Sequence, residues 1–289
     1  MLFVYKLSSV FLYKPLTHPI LGPNNKHMNR LYALFLLFAF GTTSAVGQVV
    51  VNEFSAANLE DFTDNYGGYE DWIELYNSGG SSADISGWFL SDNENNTDKY
   101  QFPAGTTIGG GGFLRIWCDG RDEVSGGQHH AAFKLKQTKF TEEIVLSNSD
   151  TVILDNIPLG LTRVGQSWCR NTNGGAVWRI CTNPTPNGSN NGSDQYTGFA
   201  EKPEVDVQAG FYASNQTVTM TNNPSNATVR YTTNGNNVTN SSPVFPGSIS
   251  ISTTTVLKLQ AYSSNSQVLP SFMEFNTYFI NDTYSLPVF

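Results

Sequence analysis

The chain has 289 residues, room for two ordinary domains that each bury a core. Hydrophobic residues make up 39% and charged residues 14%, which excludes the high-charge composition of a disordered chain. The formal net charge of −8 disfavours nucleic acid and anionic membrane as partners, because each phosphate contact needs Lys or Arg.

The first 47 residues read as a leader and not as folded domain. Met28-Asn-Arg30 precedes an apolar run, Leu31 to Phe40, and a small-residue exit, Gly41 to Gly47. These are the three parts of a secretory signal peptide over 28–47. The run is too short for a membrane span, which needs about 20 residues, and the alternative of a buried helix lacks a polar face. Met28 is read as the initiator, with 1–27 as a gene-start artefact. Ala45-Val-Gly47 places the mature start near Gln48. Removing 1–47 takes away Lys6, Lys14, Lys26 and Arg30 and no acidic residue, leaving 12 basic against 24 acidic, a net −12. No transmembrane segment is expected in the mature chain, and localisation is expected to be secreted, periplasmic or cell-surface.

From Gln48 onward no helix-length stretch shows three-and-four apolar spacing; short β-rich runs alternate with Gly, Asn, Asp and Pro. Strands are expected at 49–54, 72–76, 87–90, 113–117, 143–146 and 151–154. In 72–76, alternation puts Trp72, Glu74 and Tyr76 on one face and Ile73 and Leu75 on the other. Asn77-Ser-Gly-Gly80 and Gly109 to Gly112 read as breakers. Cys169 and Cys181 flank Asn173-Gly174-Gly175, a strong hairpin signal. A turn there sets the two cysteines opposite each other, favouring a Cys169–Cys181 disulfide with Cys118 free over unpaired buried thiols. Residues 183–202, rich in Pro, Gly, Asn and Ser, read as a linker, with the first domain's closing segment running to 190. A second β block over 203–281 has expected strands at 217–220, 228–231 and 255–262, and Asn234-Gly235 marks a tight hairpin.

Several of these motifs are ordered as in a known family. Val51-Asn-Glu-Phe54, Asp71-Trp-Ile-Glu-Leu-Tyr-Asn77, Ile85-Ser-Gly-Trp-Phe-Leu-Ser-Asp92, Phe102-Pro-Ala-Gly105 and His130-Ala-Ala-Phe-Lys-Leu135 resemble the lamin-tail domain of exported bacterial proteins. Arg163 to Trp168 and Thr185 to Asn190 are similar to that family's closing elements. Gly210-Phe-Tyr, Thr217 to Met220, Arg230 to Gly235 and Ser241 to Phe245 resemble the C-terminal β-sandwich of chitobiase and β-hexosaminidase-type proteins, with Asn234 where that family usually has Asp. The resemblance implies an all-β chain of two sandwiches, an immunoglobulin-like lamin-tail fold over 48–182 and a smaller sandwich over 203–281. The tail 282–289, through Tyr284 to Phe289, looks like the start of a further segment, similar to the opening of a spore-coat-H-like kinase domain.

No catalytic constellation stands out. A Ser–His–Asp device needs a His held by a carboxylate, and His129 and His130, beside Gly126-Gly127, are expected in a loop. Zinc spacing is absent, with no Cys-x-x-Cys and only adjacent histidines in the mature chain. Glu53, Asp71 and Glu74 lie in motif-bearing strands. Asp92, Glu94 and Asp98 are the candidate metal ligands, for Ca²⁺. Their loop fails the EF-hand pattern, since Thr97 stands at position six and Pro103 at twelve, and turn hydrogen bonds are the alternative for them. Tyr66, Tyr69, Trp72, Trp88, Trp117, Trp168 and Trp178 are either a sugar-stacking platform or core fillers. No cofactor is expected. The expected function is an exported, non-catalytic binding or scaffold protein whose partner is a protein or glycan at the cell surface. Alternatives are an accessory part of a larger kinase-like or other enzyme, or a glycan-binding module.

Overall fold

The computed structural model of the chain describes residues 48–138 and 141–282. The expected signal segment and the tail from Tyr284 lie outside the described residues. Among the described residues, a single 3₁₀ turn at Asn190–Gly192 interrupts otherwise all-β secondary structure. None forms a helix long and apolar enough to cross a membrane.

The first module runs β1 (Val49–Ser55), β2 (Trp72–Asn77), β3 (Ala83–Asp84), β4 (Phe89–Ser91), β5 (Tyr100–Gln101), β6 (Thr107–Ile108), β7 (Phe113–Trp117), β8 (Glu123–Ser125), β9 (Gln128–His130), β10 (Glu143–Ser147), β11 (Ile153–Pro158), β12 (Ser167–Arg170), β13 (Trp178–Cys181) and β14 (Gln195–Tyr196). An eight-stranded sheet, β14-β13-β12-β1-β2-β7-β9-β8, faces a four-stranded sheet, β11-β10-β4-β5. Val51 and Phe54 of β1, Ile73 and Leu75 of β2 and Ile116 of β7 pack against Leu90, Tyr100, Ile144 and Leu146 of the smaller sheet. This is the inner-face alternation of a β-sandwich. The outer face of the large sheet is buried too, since Trp72 and Glu74 are as inaccessible as Ile73 and Leu75.

A bulge between Val51 and Glu53 explains the other departure from simple alternation. The register moves from Val51↔Leu75 to Glu53↔Glu74, so Asn52 and Glu53 both turn to the outer face while Phe54 returns to the core beside Ile73. Strand β11 begins later than sequence suggests because Asn148 Oδ1 accepts from the Asp150 and Val152 amides, holding residues 148–152 in a turn. At the Gly109–Gly112 breaker the constraint is close approach. A Cβ on Gly110 would sit 2.5 Å from the Gly80 carbonyl carbon, and Asn77 binds both loops through Ser81, Ile108 and Gly109 carbonyls.

The second module comprises β15 (Gly198–Phe199), β16 (Gly210–Tyr212), β17 (Gln216–Thr219), β18 (Ala227–Thr232), β19 (Ser248–Ile251), β20 (Thr255–Ser263), β21 (Val268–Leu269) and β22 (Glu274–Ile280). The sheet β16-β22-β20-β18 packs against β17-β19 around Val218, Val229, Ile251, Leu257, Leu259 and Tyr278. The turn at Asn234-Gly235 is made, with Gly235 at φ +81° and Asn234 Oδ1 accepting the Asn236 amide. It is not followed by the expected tight hairpin. Strand β18 pairs with β20 instead, and the chain after the turn touches β18 at the Arg230↔Val244 bridge.

Residues 183–202, read from sequence as a linker, are built into both modules. Strand β14 extends the large sheet beside β13, and β15 runs parallel to β21. Arg163 of the first module donates to the Pro270 and Ser271 carbonyls at 2.8 Å and lies over the Phe199 and Phe272 rings.

Cys169 and Cys181 form a disulfide across β12–β13, with Cα atoms 6.0 Å apart, and Cys118 is a free, buried thiol. The cysteines sit diagonally, because Cys169 pairs with Arg179 and Cys181 with Ser167. They share a face two residues out of register, within reach of a bridge. Replacing both by Ala is expected to cost about 2–4 kcal/mol of unfolding free energy, read by urea denaturation with and without reductant.

Candidate functional site

Three polar or aromatic assemblies stand out in the first module. The eight-stranded sheet is wider than its partner, so the inner face of β12–β13 runs past the edge strand β11. The result is a cleft of about 380 Å³ lined by Phe54, Asn156, Ile157, Pro158, Leu159, Gly160, Trp168 and Trp178. The strand pairings Phe54↔Trp168 and Arg170↔Trp178 place the two indoles on the inner face. Phe54 and Trp178 rings are 5.5 Å apart, and the Arg170 guanidinium lies 4.7 Å over Trp178. Arg170 is itself fixed, donating to the Val51 carbonyl at 2.6 Å and pairing with Asp155 at 2.7 Å. Glycine at 160 is a requirement of the cleft, since a Cβ there would lie 2.4 Å from Trp168 Nε1.

On the outer face, Glu53 and Glu74 stand opposite each other on β1 and β2, both fully buried. Their cover is the closing segment 183–190. Glu53 accepts from Ser167 Oγ at 2.5 Å, from the Thr185 amide at 3.0 Å and from Thr185 Oγ1 at 2.9 Å. Glu74 accepts from Asn52 Nδ2 at 3.0 Å and, through a very short contact, from the Asn187 amide. Asn190 completes the cover, donating to the Arg170 carbonyl at 2.8 Å and accepting from Asn52 at 3.2 Å. Burial pushes both carboxyls up; Glu74 rises to about 8, reinforced by the neighbouring Glu53. Asp71, at the start of β2, is raised to about 6, again chiefly by burial.

The third assembly overturns the expectation that the adjacent histidines sit in a loop. Both are buried on β9, which pairs in parallel with β7 and antiparallel with β8. The Gly126-Gly127 pair is the turn of a short β8–β9 hairpin, both glycines at positive φ. His129 Nδ1 lies 2.8 Å from the Tyr100 hydroxyl, and burial lowers its pKa. His130 Nδ1 is 2.6 Å from Asp119 Oδ2, and its Nε2 is 2.8 Å from Asn65 Oδ1. The His–carboxylate pair of a Ser–His–Asp device is therefore formed, but Nε2 faces an amide oxygen and not a hydroxyl nucleophile.

The sequence-derived metal candidates do not converge in this way. Asp92 pairs with Lys99, while Glu94 and Asp98 are exposed. Among the aromatics, Trp72 and Trp117 are fully buried, and Trp88 packs on the core. Trp168 and Trp178 line the cleft, and Tyr66 and Tyr69 are about half exposed. Asp64 and Asp119 escape sequence reading because 55 positions separate them and neither lies in a strand.

The fold defines a class of all-β protein, two sandwiches with immunoglobulin-like character. Comparison with known family models finds a match in each module. Residues 42–166 match the Lamin Tail Domain model, and residues 207–269 match the Chitobiase/beta-hexosaminidase C-terminal domain model. The chain carries these two modules in that order. No curated protein matches it.

The buried glutamates make stability pH-dependent with a definite sign. A carboxyl raised from 4.5 to about 8 binds more protons in the folded state than in the unfolded state between those values. Its contribution is therefore fully present below about pH 4.5 and is lost as pH rises towards 8. Denaturation midpoints across pH 5 to 9 are expected to fall on the alkaline side in wild type, and Glu74→Gln is expected to flatten that slope.

Proposed function

We propose that the chain is an exported, non-catalytic binding or scaffold protein that seats an apolar side chain of a protein partner in the Phe54–Trp168–Trp178 cleft. The observation that carries this reading is the cleft's lining, in which Asn156 is the one polar side chain among Phe, Ile, Pro, Leu, Gly and two Trp. A sugar ring presents hydroxyls around its edge and needs several polar groups beside its stacking platform, whereas an aliphatic or aromatic side chain needs only shape and apolar surface. The rigidity of the indoles supports the same reading. Trp178 is held between Phe54 and the Arg170 guanidinium, so little side-chain freedom remains to be lost on binding. The Cys169–Cys181 bridge fits an oxidising compartment, and the leader motif over 28–47 supports export.

Two experiments test this. Peptide-library selection on the full chain, repeated on Trp178→Ala, is expected to return peptides sharing an apolar anchor that bind the variant at least about tenfold more weakly. A glycan array is expected to stay blank. Array signal lost in Trp178→Ala, with no peptides selected, would replace the protein partner by a carbohydrate. N-terminal sequencing of the exported product is expected to begin at Gln48, and a mature chain retaining Tyr5 or Tyr13 would refute the leader assignment.

A further inference from the structure

The Asp64, Asp119 and His130 side chains come from three separate segments and are all buried. One oxygen from each aspartate and one ring nitrogen of the histidine lie within 4.8 Å of one another. Most of the polar atoms here are accounted for. Asp64 Oδ1 accepts the Tyr66 and Gly68 amides, both at 2.8 Å, in a tight turn. Asp119 Oδ1 accepts the Arg121 amide at 3.1 Å, and Oδ2 takes Arg121 Nε at 2.9 Å and faces His130 Nδ1 at 2.6 Å. One atom is left over. Asp64 Oδ2 is buried and has no hydrogen-bond partner, on a residue only 6% exposed. An orphaned carboxylate oxygen in such a place carries a large desolvation cost unless a cation or donor meets it.

We infer that this cluster is a site for a divalent cation of the zinc or manganese class, held by Asp64 Oδ2, Asp119 and His130 Nδ1. The histidine geometry fits that assignment. The ion takes the place of the proton between His130 Nδ1 and Asp119 Oδ2, now 2.6 Å apart, that proton leaving to solvent as the two ligand atoms separate. Nε2 keeps its own proton and donates to Asn65 Oδ1 at 2.8 Å, the outer contact that fixes the tautomer of a ligating imidazole. Asn65 is oriented in turn by its own bond from Nδ2 to Ser125 Oγ at 3.2 Å. An imidazole among two carboxylates favours a borderline transition-type ion over Ca²⁺, which takes six to eight oxygens. Arg121 is the resident counter-charge on Asp119, and its charge also acts on Asp64. Its side chain is 42% exposed and stacked 4.1 Å over the Tyr66 ring, whose hydroxyl donates to Glu123 at 2.6 Å. It competes with the cation for the same carboxylate and can leave towards solvent. The bound ion would tie the turn at Asp64–Gly68 to the Asp119–Arg121 turn and to β9.

The test is calorimetry and thermal melting of the untagged full chain with Zn²⁺, Mn²⁺ and Ca²⁺. Zn²⁺ or Mn²⁺ is expected to release heat at one site and raise the melting temperature, and Ca²⁺ is not. Asp64→Asn keeps an oxygen for the turn amides and is expected to abolish binding, while Asn65→Ala weakens it about 10–100-fold. Arg121→Gln is expected to tighten it, because a competing positive charge is removed. No metal-dependent heat, or equal affinity in Asp64→Asn, would overturn the proposal. So would loss of affinity in Arg121→Gln, since an ion-paired structural cluster depends on that arginine. Should Asp64→Asn fail to fold, the His130 imidazole ¹⁵N resonances of wild type decide: a Zn²⁺-dependent shift confined to Nδ1 supports the site, and no shift refutes it.

Discussion

Two carboxyl groups facing each other across β1 and β2, with no access to water, are the constraint around which the first module is arranged. Each would carry several kcal/mol of desolvation if left ionised and unpaired. The chain answers with donors brought from far along the sequence. Thr185, Asn187 and Ser167 reach Glu53 and Glu74 across more than a hundred residues. Arg115 lies opposite Glu74 on β7 and works against its raised pKa. The segment 183–190 is consequently folded over the sheet, although almost none of its residues is apolar. Its burial is organised by hydrogen bonds, and its position follows from where the two glutamates stand.

The bulge at Asn52 makes this arrangement possible. Without the extra residue, strict alternation would send Glu53 to the core and Phe54 to the outer face. With it, Phe54 meets Ile73 inside while Glu53 meets Glu74 outside. The two faces of β12–β13 then do different things. Cys169 and Ser167 lie outward, next to Glu53, so the disulfide sits beside the covered carboxylates. Trp168 and Trp178 lie inward and wall the cleft. One hairpin thus links the polar cover to the apolar cleft, and Arg170 crosses between them by binding the Val51 and Gly175 carbonyls and Asp155.

What was legible in the sequence follows from which interactions leave a local trace. Strands β1, β2, β7 and β10 were readable because each is a short run rich in β-branched, aliphatic or aromatic residues, and the cysteine pair because a glycine turn lies between its members. Strand β9 was hidden because Gly126-Gly127 reads as a loop, and a three-residue strand offers no period to detect. The segment 183–202 was read as a linker with a closing stretch to 190 because composition measures apolar burial, while 183–190 is held through Asn and Thr side chains. The Asp64–Asp119–His130 cluster left no motif, since its members meet only once β9 has paired with β7 and the turn at Asp64–Gly68 has closed. The pattern of Asp92, Glu94 and Asp98 was visible and local, yet those side chains point to Lys99 and to solvent. Proximity in sequence was a poor guide to a shared site.

The same covering segment also explains why the two modules meet as they do. After Asn190 the chain continues into β14, which pairs with β13 and so covers an edge of the large sheet. Unpaired edges invite association with other strands, and the far edge is kept short by the three-residue β8. Two residues beyond β14 the chain enters the second module by pairing β15 with β21, and the Thr197 and Ala200 amides bond to Gln267 and Leu269. Arg163 fastens the junction from the other side by taking the Pro270 and Ser271 carbonyls. These are main-chain acceptors, so the arginine reads backbone position and not side-chain identity.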